Sequence, residues 1–278
     1  MKTAAIVALA AIALAATPAV AAKRKANMQS GYAPVNGLRM YYEIHGSTKE
    51  GQPPLLLLHG GGDTIDTCFG VLLPELARHR QVIAFEQQGF GRTADIAERP
   101  FTFEQSADDT AALLAHLRIP RADLLGFSNG GTIAAQVAIR HPRAVRKLIL
   151  ASTILQRDGA HPWLWQAMAN AKIEEMPQPF KDAYRAVAPH PENLQSFFDK
   201  SVQRMRTFTD IPDAAIRNIT APAMVLIADN DIVRPEHAVA TARLIPAAQL
   251  AILPGTEHTT VMKQTKVLIP MIEQFLGT

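Results

Sequence analysis

Cysteine is almost missing from this chain, since Cys68 is the single one among 278 residues. One thiol cannot form a disulfide within the chain, and the C-x-x-C pairs of zinc and redox sites are absent. A chain of this length buries enough apolar surface to fold without such cross-links. We interpret Cys68 as a buried structural thiol. A place near the active site is the alternative, because Cys68 follows a Gly-rich loop.

Charged residues are also scarce, and their signs nearly balance. They make up 19% of the sequence, with 28 Lys and Arg against 25 Asp and Glu, for a formal net charge of +3. Three of the positive residues stand together at Lys23-Arg24-Lys25, and no Lys/Arg stripe appears elsewhere. A nucleic-acid-binding surface needs such a stripe, so the sequence predicts no nucleic-acid partner.

Long hydrophobic runs are missing except for one near the N-terminus. This run spans Ala4–Ala16, follows the positive Lys2 and precedes a small-x-small pattern that ends at Ala21. These features are typical of a secretory signal peptide over residues 1–22, with cleavage after Ala21 or Ala22. Because the run is short for a membrane span, we expect a periplasmic or secreted protein with no stable membrane anchor after cleavage. An uncleaved membrane anchor is the alternative.

The rest of the chain alternates short apolar runs with helical periodicity. Six runs predict buried strands: Pro54–Leu58, Gln81–Phe85, Ala122–Leu125, Val145–Ala151, Met224–Ile227 and Gln249–Leu253. Helical spacing appears in four stretches: Phe69–His79, Phe103–Leu117, Thr132–Arg140 and Val267–Phe275. Tyr32–Ile44 is expected to form a hairpin with Asn36-Gly37 as its turn. The alternation predicts an α/β fold with a mostly parallel central sheet flanked by helices.

One segment interrupts this alternation. Residues 155–213 contain no strand-like run, several prolines and a high share of Trp, Met and Phe. We interpret this segment as a small helical cap inserted over the carboxyl edge of the sheet, with residues 23–154 and 214–278 as the core domain. Its large apolar side chains indicate an apolar substrate, unless they only form the core of the cap and its contact with the sheet.

The most informative stretch is Gly126-Phe127-Ser128-Asn129-Gly130-Gly131. It reads G-x-S-x-G-G, with a predicted strand before it and a predicted helix after it. A serine on such a tight strand-to-helix turn projects its hydroxyl at the carboxyl edge of the sheet, and the flanking glycines let the backbone turn. This context predicts that Ser128 is a nucleophile.

A nucleophilic serine needs a neighbouring base, and the base needs an orienting acid. Loops that follow the strands of a parallel sheet meet at its carboxyl edge. His258 lies in such a loop, which predicts it as the base. Asp229 and Asp231 share the loop after Met224–Ile227, and their placement alone leaves both as candidates for the acid.

Residues 32–278 resemble the α/β-hydrolase superfamily, in particular its small cap-bearing esterase, lactonase and C–C hydrolase-like members. The resemblance rests on five stretches: Leu57-Leu58-His59-Gly60-Gly61, Gly89-Phe90-Gly91-Arg92, Gly126–Gly131, Asp229–Asp231 and Pro254-Gly255-Thr256-Glu257-His258. In these relatives the acid loop reads G-x-x-D before an apolar pair, which points to Asp231, with Ala228 in place of the glycine. The resemblance therefore implies an α/β-hydrolase fold with Ser128, Asp231 and His258 as its catalytic triad.

An oxyanion hole is expected beside the serine. The residue after the nucleophile supplies one backbone N–H, here Asn129, and the resemblance assigns the second to Gly61. His59 is expected to support this loop. An H-G-G-G loop also occurs in hormone-sensitive-lipase-like enzymes, but those have an acidic residue where Phe127 stands. The loop Glu86–Thr93 departs from the D-x-R-G-x-G-x-S pattern of relatives, which weakens the transfer of any particular substrate.

These residues predict acyl transfer, in which Ser128 attacks a carbonyl and water then hydrolyses the acyl-enzyme. The expected partner is a small-molecule substrate, a fairly apolar carboxylic ester. A lactonase, a C–C bond hydrolase or a cofactor-free perhydrolase would use the same triad, and a non-catalytic ligand-binding protein is a further alternative. No metal or organic cofactor is implied, since Gly89–Gly91 lacks the rest of a dinucleotide fingerprint.

Overall fold

The computed structural model describes residues 28–277, so the predicted signal peptide lies outside the described residues. The first two strands, β1 (Met28–Val35) and β2 (Leu38–His45), form an antiparallel hairpin. Asn36 and Gly37 form its turn with φ angles of 46° and 85°. Positive φ at both central residues is the geometry that favours Asn-Gly, and the predicted hairpin is confirmed.

Six further strands complete the sheet that the structure describes: β3 (Leu55–Leu58), β4 (Val82–Phe85), β5 (Ala122–Phe127), β6 (Val145–Ala151), β7 (Ala223–Asn230) and β8 (Gln249–Glu257). Their order is β1-β2-β4-β3-β5-β6-β7-β8, with β1–β2 and β2–β4 antiparallel and the other pairs parallel. All the predicted strands are therefore present, and the α/β fold class is confirmed. The strand order reverses at β3, and such a switch point opens a crevice at the carboxyl ends of the strands.

The α-helices of residues 28–277 are α1 (Ile65–Phe69), α2 (Leu72–Leu76), α3 (Phe103–His116), α4 (Asn129–Arg140), α5 (Pro162–Asn170), α6 (Gln178–Val187), α7 (Leu194–Arg206), α8 (Asp213–Arg217), α9 (Pro235–Leu244) and α10 (Thr265–Leu276). Within this described range, none reaches the length and apolar content of a membrane span. The predicted single helix over Phe69–His79 is wrong, because the chain forms α1 and α2 with a break at Gly70. A continuous helix would bring the Pro74 ring against the carbonyl of Gly70, whereas the first turn of α2 tolerates a proline.

Helices cover both faces of the sheet. Strand β3 demonstrates this most directly, because all of its leucines are buried. Leu56 and Leu58 belong to the apolar cluster that includes α3, α4 and α9, whereas Leu55 and Leu57 belong to the cluster that includes α1, α2 and α10. A strand buried on both faces gives the loop that follows it a fixed starting point, and that loop begins at His59.

The segment between β6 and β7 contributes helices α5 to α8. We refer to α5, α6 and α7 as the cap helices. Aromatic side chains connect two of them to the loop after β4, because Tyr184 and Phe197 cluster with Phe90 and Phe101. The ring centroids of Phe90 and Phe197 lie 4.9 Å apart in an edge-to-face arrangement. The cap helices are thereby fixed against a loop at the carboxyl edge of the sheet.

Strand β5 and helix α4 meet with their backbones in contact. A Cβ atom on Gly126 would lie 2.2 Å from the carbonyl oxygen of Gly130. A Cβ atom on Gly130 would in turn lie 2.1 Å from the carbonyl oxygen of Leu58 in β3. Glycine is required at both positions because no side chain fits between these backbones. The turn between β5 and α4 is thereby locked to the neighbouring strand.

We expect Gly130→Ala to lower the free energy of unfolding by about 3 kcal/mol, since the added methyl group would overlap the backbone of β3. Gly51→Ala is the control, because Gly51 has a φ of 73° but no described atom beyond its chain neighbours lies within 4 Å of the added methyl group. That control carries only the cost of a left-handed backbone, about 1 kcal/mol. Urea-induced unfolding measures both, and equal losses would contradict the close approach.

Candidate active site

Ser128 occupies the turn between β5 and α4. Its backbone has φ 54° and ψ −123°, a strained conformation for a residue with a side chain. Three backbone hydrogen bonds hold it there: its N–H donates to the carbonyl of Ala151 at 2.8 Å, and its carbonyl accepts from the N–H groups of Gly131 and Thr132 at 2.9 and 3.2 Å. Because the neighbouring backbone fixes this conformation, the hydroxyl is presented at the carboxyl edge of the sheet.

His258 and Asp231 lie beside this hydroxyl. His258 Nε2 is 3.1 Å from Ser128 Oγ, and His258 Nδ1 is 2.7 Å from Asp231 Oδ1. When the Nδ1 hydrogen is donated to the carboxylate, Nε2 keeps a lone pair that accepts the serine hydroxyl. The structure thus brings together the three residues that the sequence predicts, from the ends of β5, β7 and β8.

Asp231 is held as a charged carboxylate. Burial alone would raise its pKa, but the charge and hydrogen bond of His258, the hydroxyl of Ser152 and the N–H of Val233 together hold the pKa below its ordinary value. The Val233 N–H donates to Oδ1 at 3.2 Å, and the Ala228 N–H donates to Oδ2 at 3.1 Å. A charged acid in this place can orient the imidazole and stabilise the imidazolium that forms when the base takes a proton.

Ser152 belongs to the same site, although the sequence did not predict it. It follows β6 directly, has a φ of 50° and is fully buried. Its hydroxyl donates to Asp231 Oδ2 at 2.5 Å. The signal that could have found it was its place directly after a predicted strand, since side chains there reach the same edge of the sheet as Ser128.

Asp229 makes contacts that differ from those of Asp231. Its carboxylate is exposed and accepts hydrogen bonds from the N–H groups of Gly255 and Thr256 at 2.8 and 2.9 Å. These bonds lower the pKa of Asp229. They join the end of β7 to the end of β8 just before His258, so Asp229 helps to place His258 without touching it.

Gly61 and Asn129 line the same cavity as Ser128. They are immediate neighbours, because a Cβ atom on Gly61 would lie 2.6 Å from Asn129 Nδ2. Asn129 is the first residue of α4, so its backbone N–H has no acceptor within the helix. The positive end of the helix dipole lies at the same position. The two predicted oxyanion residues are therefore adjacent, in a place that favours negative charge.

His59 supports the loop that carries Gly61. Its Nδ1 donates to the carbonyl of Gly60 at 2.9 Å, and its Nε2 accepts from the N–H of Gln87 at 3.2 Å. Burial, opposed by the hydrogen bond to Gly60 and assisted by the charge of Arg204, lowers the pKa of His59 to about 4. A neutral ring with both nitrogens engaged by the backbone has a structural role, as the sequence predicts.

The loop after β4 is held by an ion pair between Glu86 and Arg92. Glu86 is fully buried, and its Oε1 lies 2.7 Å from Arg92 Nη1. Arg92 also contacts Asp66 at 2.8 Å, which ties the loop to α1. Burial raises the pKa of Glu86 to about 7, against the opposing charge of Arg92.

A cavity of about 220 Å³ lies beside Ser128 and His258. Its apolar lining comes mainly from the cap helices and includes Leu164, Met168, Phe180, Phe197, Val202 and Met205. Charged side chains in the lining are Asp63, Lys172, Glu175 and Lys263. Ser128 and His258 therefore face a small, largely apolar space between the sheet and the cap helices.

Comparison with known proteins finds hydrolases. Residues 53–206 match the family described as alpha/beta hydrolase fold. The 2-hydroxymuconate semialdehyde hydrolase of Pseudomonas sp. (strain CF600) is 39% identical over 99 residues, which cover 35% of this chain and 35% of that protein. That match thus spans about a third of the relative's length. The 2-hydroxy-6-oxo-2,4-heptadienoate hydrolase of Pseudomonas putida is 26% identical over 255 residues, which cover 81% of this chain and 89% of that protein.

A solved structure shares the same architecture. The enol-lactonase from Burkholderia xenovorans LB400 aligns with a TM-score of 0.71 at 22% sequence identity, over 89% of this chain and 100% of that chain. At this identity the likeness concerns the fold. The strand order, the serine turn and the family match over more than half of the sequence agree, and the chain belongs to the α/β-hydrolase fold family.

Proposed function

We propose that this chain is an exported serine hydrolase that cleaves carboxylic esters of small, fairly apolar substrates. The observation that carries the proposal is the chain of contacts from Ser128 through His258 to Asp231, at 3.1 and 2.7 Å, at the wall of a largely apolar cavity. Export rests on the signal peptide that the sequence predicts.

In the first step, His258 Nε2 takes the hydroxyl proton of Ser128 while Oγ attacks the ester carbonyl. The carbonyl electrons move onto oxygen, and the N–H groups of Gly61 and Asn129 bind the oxyanion. The tetrahedral intermediate then expels the alcohol, which takes the proton from His258. Water attacks the acyl-enzyme in the same way, which releases the carboxylic acid and restores Ser128.

The cavity supports a small substrate with apolar groups. Its volume of about 220 Å³ lies below the range of roughly 300–1,000 Å³ typical of sites for drug-sized ligands. Met168 and Met205 line it together with Phe180 and Phe197, and methionine adapts its shape to different alkyl groups. A short acyl chain and a small alcohol match this lining.

Other reactions use the same residues. Lactone hydrolysis, C–C bond hydrolysis and cofactor-free perhydrolysis all begin with the same triad. The second candidate is C–C bond hydrolysis of a compound similar to 2-hydroxymuconate semialdehyde, because the hydrolase named for that compound is 39% identical over 99 residues. A non-catalytic ligand-binding role would leave Ser128 unreactive.

We expect wild-type protein to hydrolyse p-nitrophenyl esters with an optimum at short acyl chains, in a series from acetate to decanoate. Ser128→Ala should lower kcat by at least about 10⁴-fold, because the nucleophile is lost. Ser106→Ala, on α3 outside the cavity lining, is the matched control and should keep full activity. Undiminished ester hydrolysis by Ser128→Ala would contradict the proposal. If the wild type hydrolyses a carbon–carbon bond in a substrate such as 2-hydroxymuconate semialdehyde but no ester, the second candidate is favoured.

We expect Ser152→Ala to lower kcat/KM for p-nitrophenyl butyrate about tenfold, because a hydrogen bond to the charged Asp231 is lost. The remaining donors, the N–H groups of Ala228 and Val233, should keep the acid in place. Steady-state kinetics and a thermal unfolding curve of the variant measure the effect. A folded variant with wild-type kinetics would mean that the Ser152 hydroxyl does not act on the acid.

Asp63 places a carboxyl group in the cavity, where the Thr67 hydroxyl donates to its Oδ1 at 2.9 Å. Burial raises the pKa of Asp63 to about 6, against this hydrogen bond and the charges of His258 and Lys263. An unfolded aspartate titrates near pH 4. Asp63 therefore binds a proton more tightly in the folded protein than in the unfolded chain. Its ionisation lowers the free energy of unfolding as pH rises from about 4 to about 6.

We expect Asp63→Asn to raise the unfolding temperature by a few degrees at pH 8, where wild-type Asp63 is ionised, and to change it much less at pH 4. Asp66→Asn is the matched control, because Asp66 is exposed on the adjoining helix and pairs with Arg92. It should give no gain at pH 8. Thermal unfolding across this pH range tests the difference, and an equal gain for Asp63→Asn at both pH values would rule out the raised pKa.

A further inference from the structure

Arg204 is a buried cation on cap helix α7, with a side chain that lacks an anionic partner among residues 28–277. The residue is only 3% exposed. Its Nη1 donates to Gln87 Oε1 at 3.4 Å, whereas Nε and Nη2 make no hydrogen bond within the described range. Burial lowers the pKa of Arg204 to about 10. A guanidinium with so few polar contacts is unusual inside a protein and calls for a physical reason.

Stability alone does not explain this residue. The guanidinium carbon lies 5.4, 5.8 and 5.2 Å from the ring centroids of Phe90, Phe101 and Phe103. Cation–π contacts with these rings offset part of the cost of burying the charge. An apolar side chain of similar size would pack against the same rings without that cost, and such replacements are often neutral or stabilising. Packing against these rings therefore does not require the charge.

The polar contact of Arg204 leads to the loop with the predicted oxyanion donor. Gln87, which accepts from Arg204, donates through its Nε2 to the carbonyl of His59 at 3.0 Å. The backbone N–H of Gln87 also donates to His59 Nε2 at 3.2 Å. His59 Nδ1 in turn donates to the carbonyl of Gly60 at 2.9 Å. These contacts form a continuous hydrogen-bonded path from cap helix α7 to the peptide unit between Gly60 and Gly61.

Each hydrogen bond in this path has a fixed donor and a fixed acceptor. An arginine side chain can only donate, so Arg204 fixes the Gln87 amide with its oxygen towards α7 and its NH₂ group towards His59. The positive charge of Arg204 also disfavours protonation of His59, which keeps Nε2 an acceptor. The Gly60 carbonyl and the Gly61 N–H belong to one planar trans peptide unit and point in opposite directions. When His59 holds the carbonyl, it also sets the direction of the Gly61 N–H.

We propose that Arg204 is a positioning residue that fixes the oxyanion donor at Gly61 through Gln87 and His59. The inference rests on the proposed function, because it assumes that an oxyanion forms beside Ser128. Arg204 makes no contact with the substrate in this scheme. Arg204 links the position of cap helix α7 to the geometry of the oxyanion hole. A displaced cap therefore weakens transition-state binding even when the triad is intact.

The test compares Arg204→Met with Arg206→Met. Arg206 is an exposed arginine of the same helix that donates to the carbonyls of Met168 and Ala169 within the cap, at 3.0 Å each. The readouts are kcat and KM for p-nitrophenyl butyrate, the rate at which a fluorophosphonate labels Ser128, and the unfolding temperature. Phosphonylation is included because it also builds negative charge on an oxygen beside Ser128, and it does not depend on the natural substrate.

We expect Arg204→Met to lower kcat and the labelling rate by about 10- to 100-fold, as for a misplaced oxyanion donor, with KM changed by less than about twofold. Its unfolding temperature should stay the same or rise, since a buried charge that is only partly compensated is removed. Arg206→Met should keep wild-type kinetics. Arg204→Lys should recover part of the activity, because it retains a charged donor on the same helix.

Gln87→Glu removes the bond from Gln87 to His59 and keeps the bond from Arg204 to residue 87. A glutamate still accepts from Arg204 but cannot donate to the carbonyl of His59. We expect it to be as slow as Arg204→Met. Gln87→Met removes both bonds without adding a charge, and the double variant Arg204→Met/Gln87→Met should be no slower than either single one, because both changes break the same path. Wild-type kcat in Arg204→Met, or additive losses in the double variant, would overturn the inference alone. A wild type that is not labelled at Ser128 would overturn the proposed function and the inference together.

Discussion

The constraint on which the site depends is the backbone turn at Ser128. The residue is held at φ 54° between the last residue of β5 and the first residue of α4. Such a conformation persists only where the surroundings enforce it, and here Gly126 and Gly130 let three backbones touch without a side chain between them. The same contact places the serine hydroxyl, the N-terminus of α4 and the loop after β3 around one point.

Around that point, burial and hydrogen-bond partners decide which groups are charged and which are neutral. Asp231 stays charged because His258, Ser152 and two backbone N–H groups donate to it, although burial opposes its charge. His59 stays neutral because it is buried and both its nitrogens are used by the backbone. The two histidines therefore differ in their partners: His59 is held by backbone groups, whereas His258 contacts a carboxylate and the Ser128 hydroxyl.

Local sequence signals predicted the strands and the serine turn, because apolar runs and the Gly126–Gly131 pattern act over only a few residues. The predicted triad residues also come together, since loops after parallel strands share an edge. The break between α1 and α2 was missed although Pro74 signalled it. Ser152 lies directly after a predicted strand, which places it at the right edge of the sheet, but no local pattern shows that its hydroxyl donates to Asp231, 79 residues away. Arg204 was missed because its partner Gln87 lies 117 residues away along the chain, and no local pattern predicts that contact.

The central claim is that an acyl group passes through Ser128, and mass spectrometry of the acid-quenched protein tests it most directly. The protein is mixed with p-nitrophenyl butyrate and quenched with acid within the first turnover. The intact mass counts the adducts, and a digest of the same sample locates them. The account predicts one butyryl group per chain, on the peptide that contains Ser128. Release of p-nitrophenol without an adduct, or with an adduct on another residue such as Cys68, would contradict it.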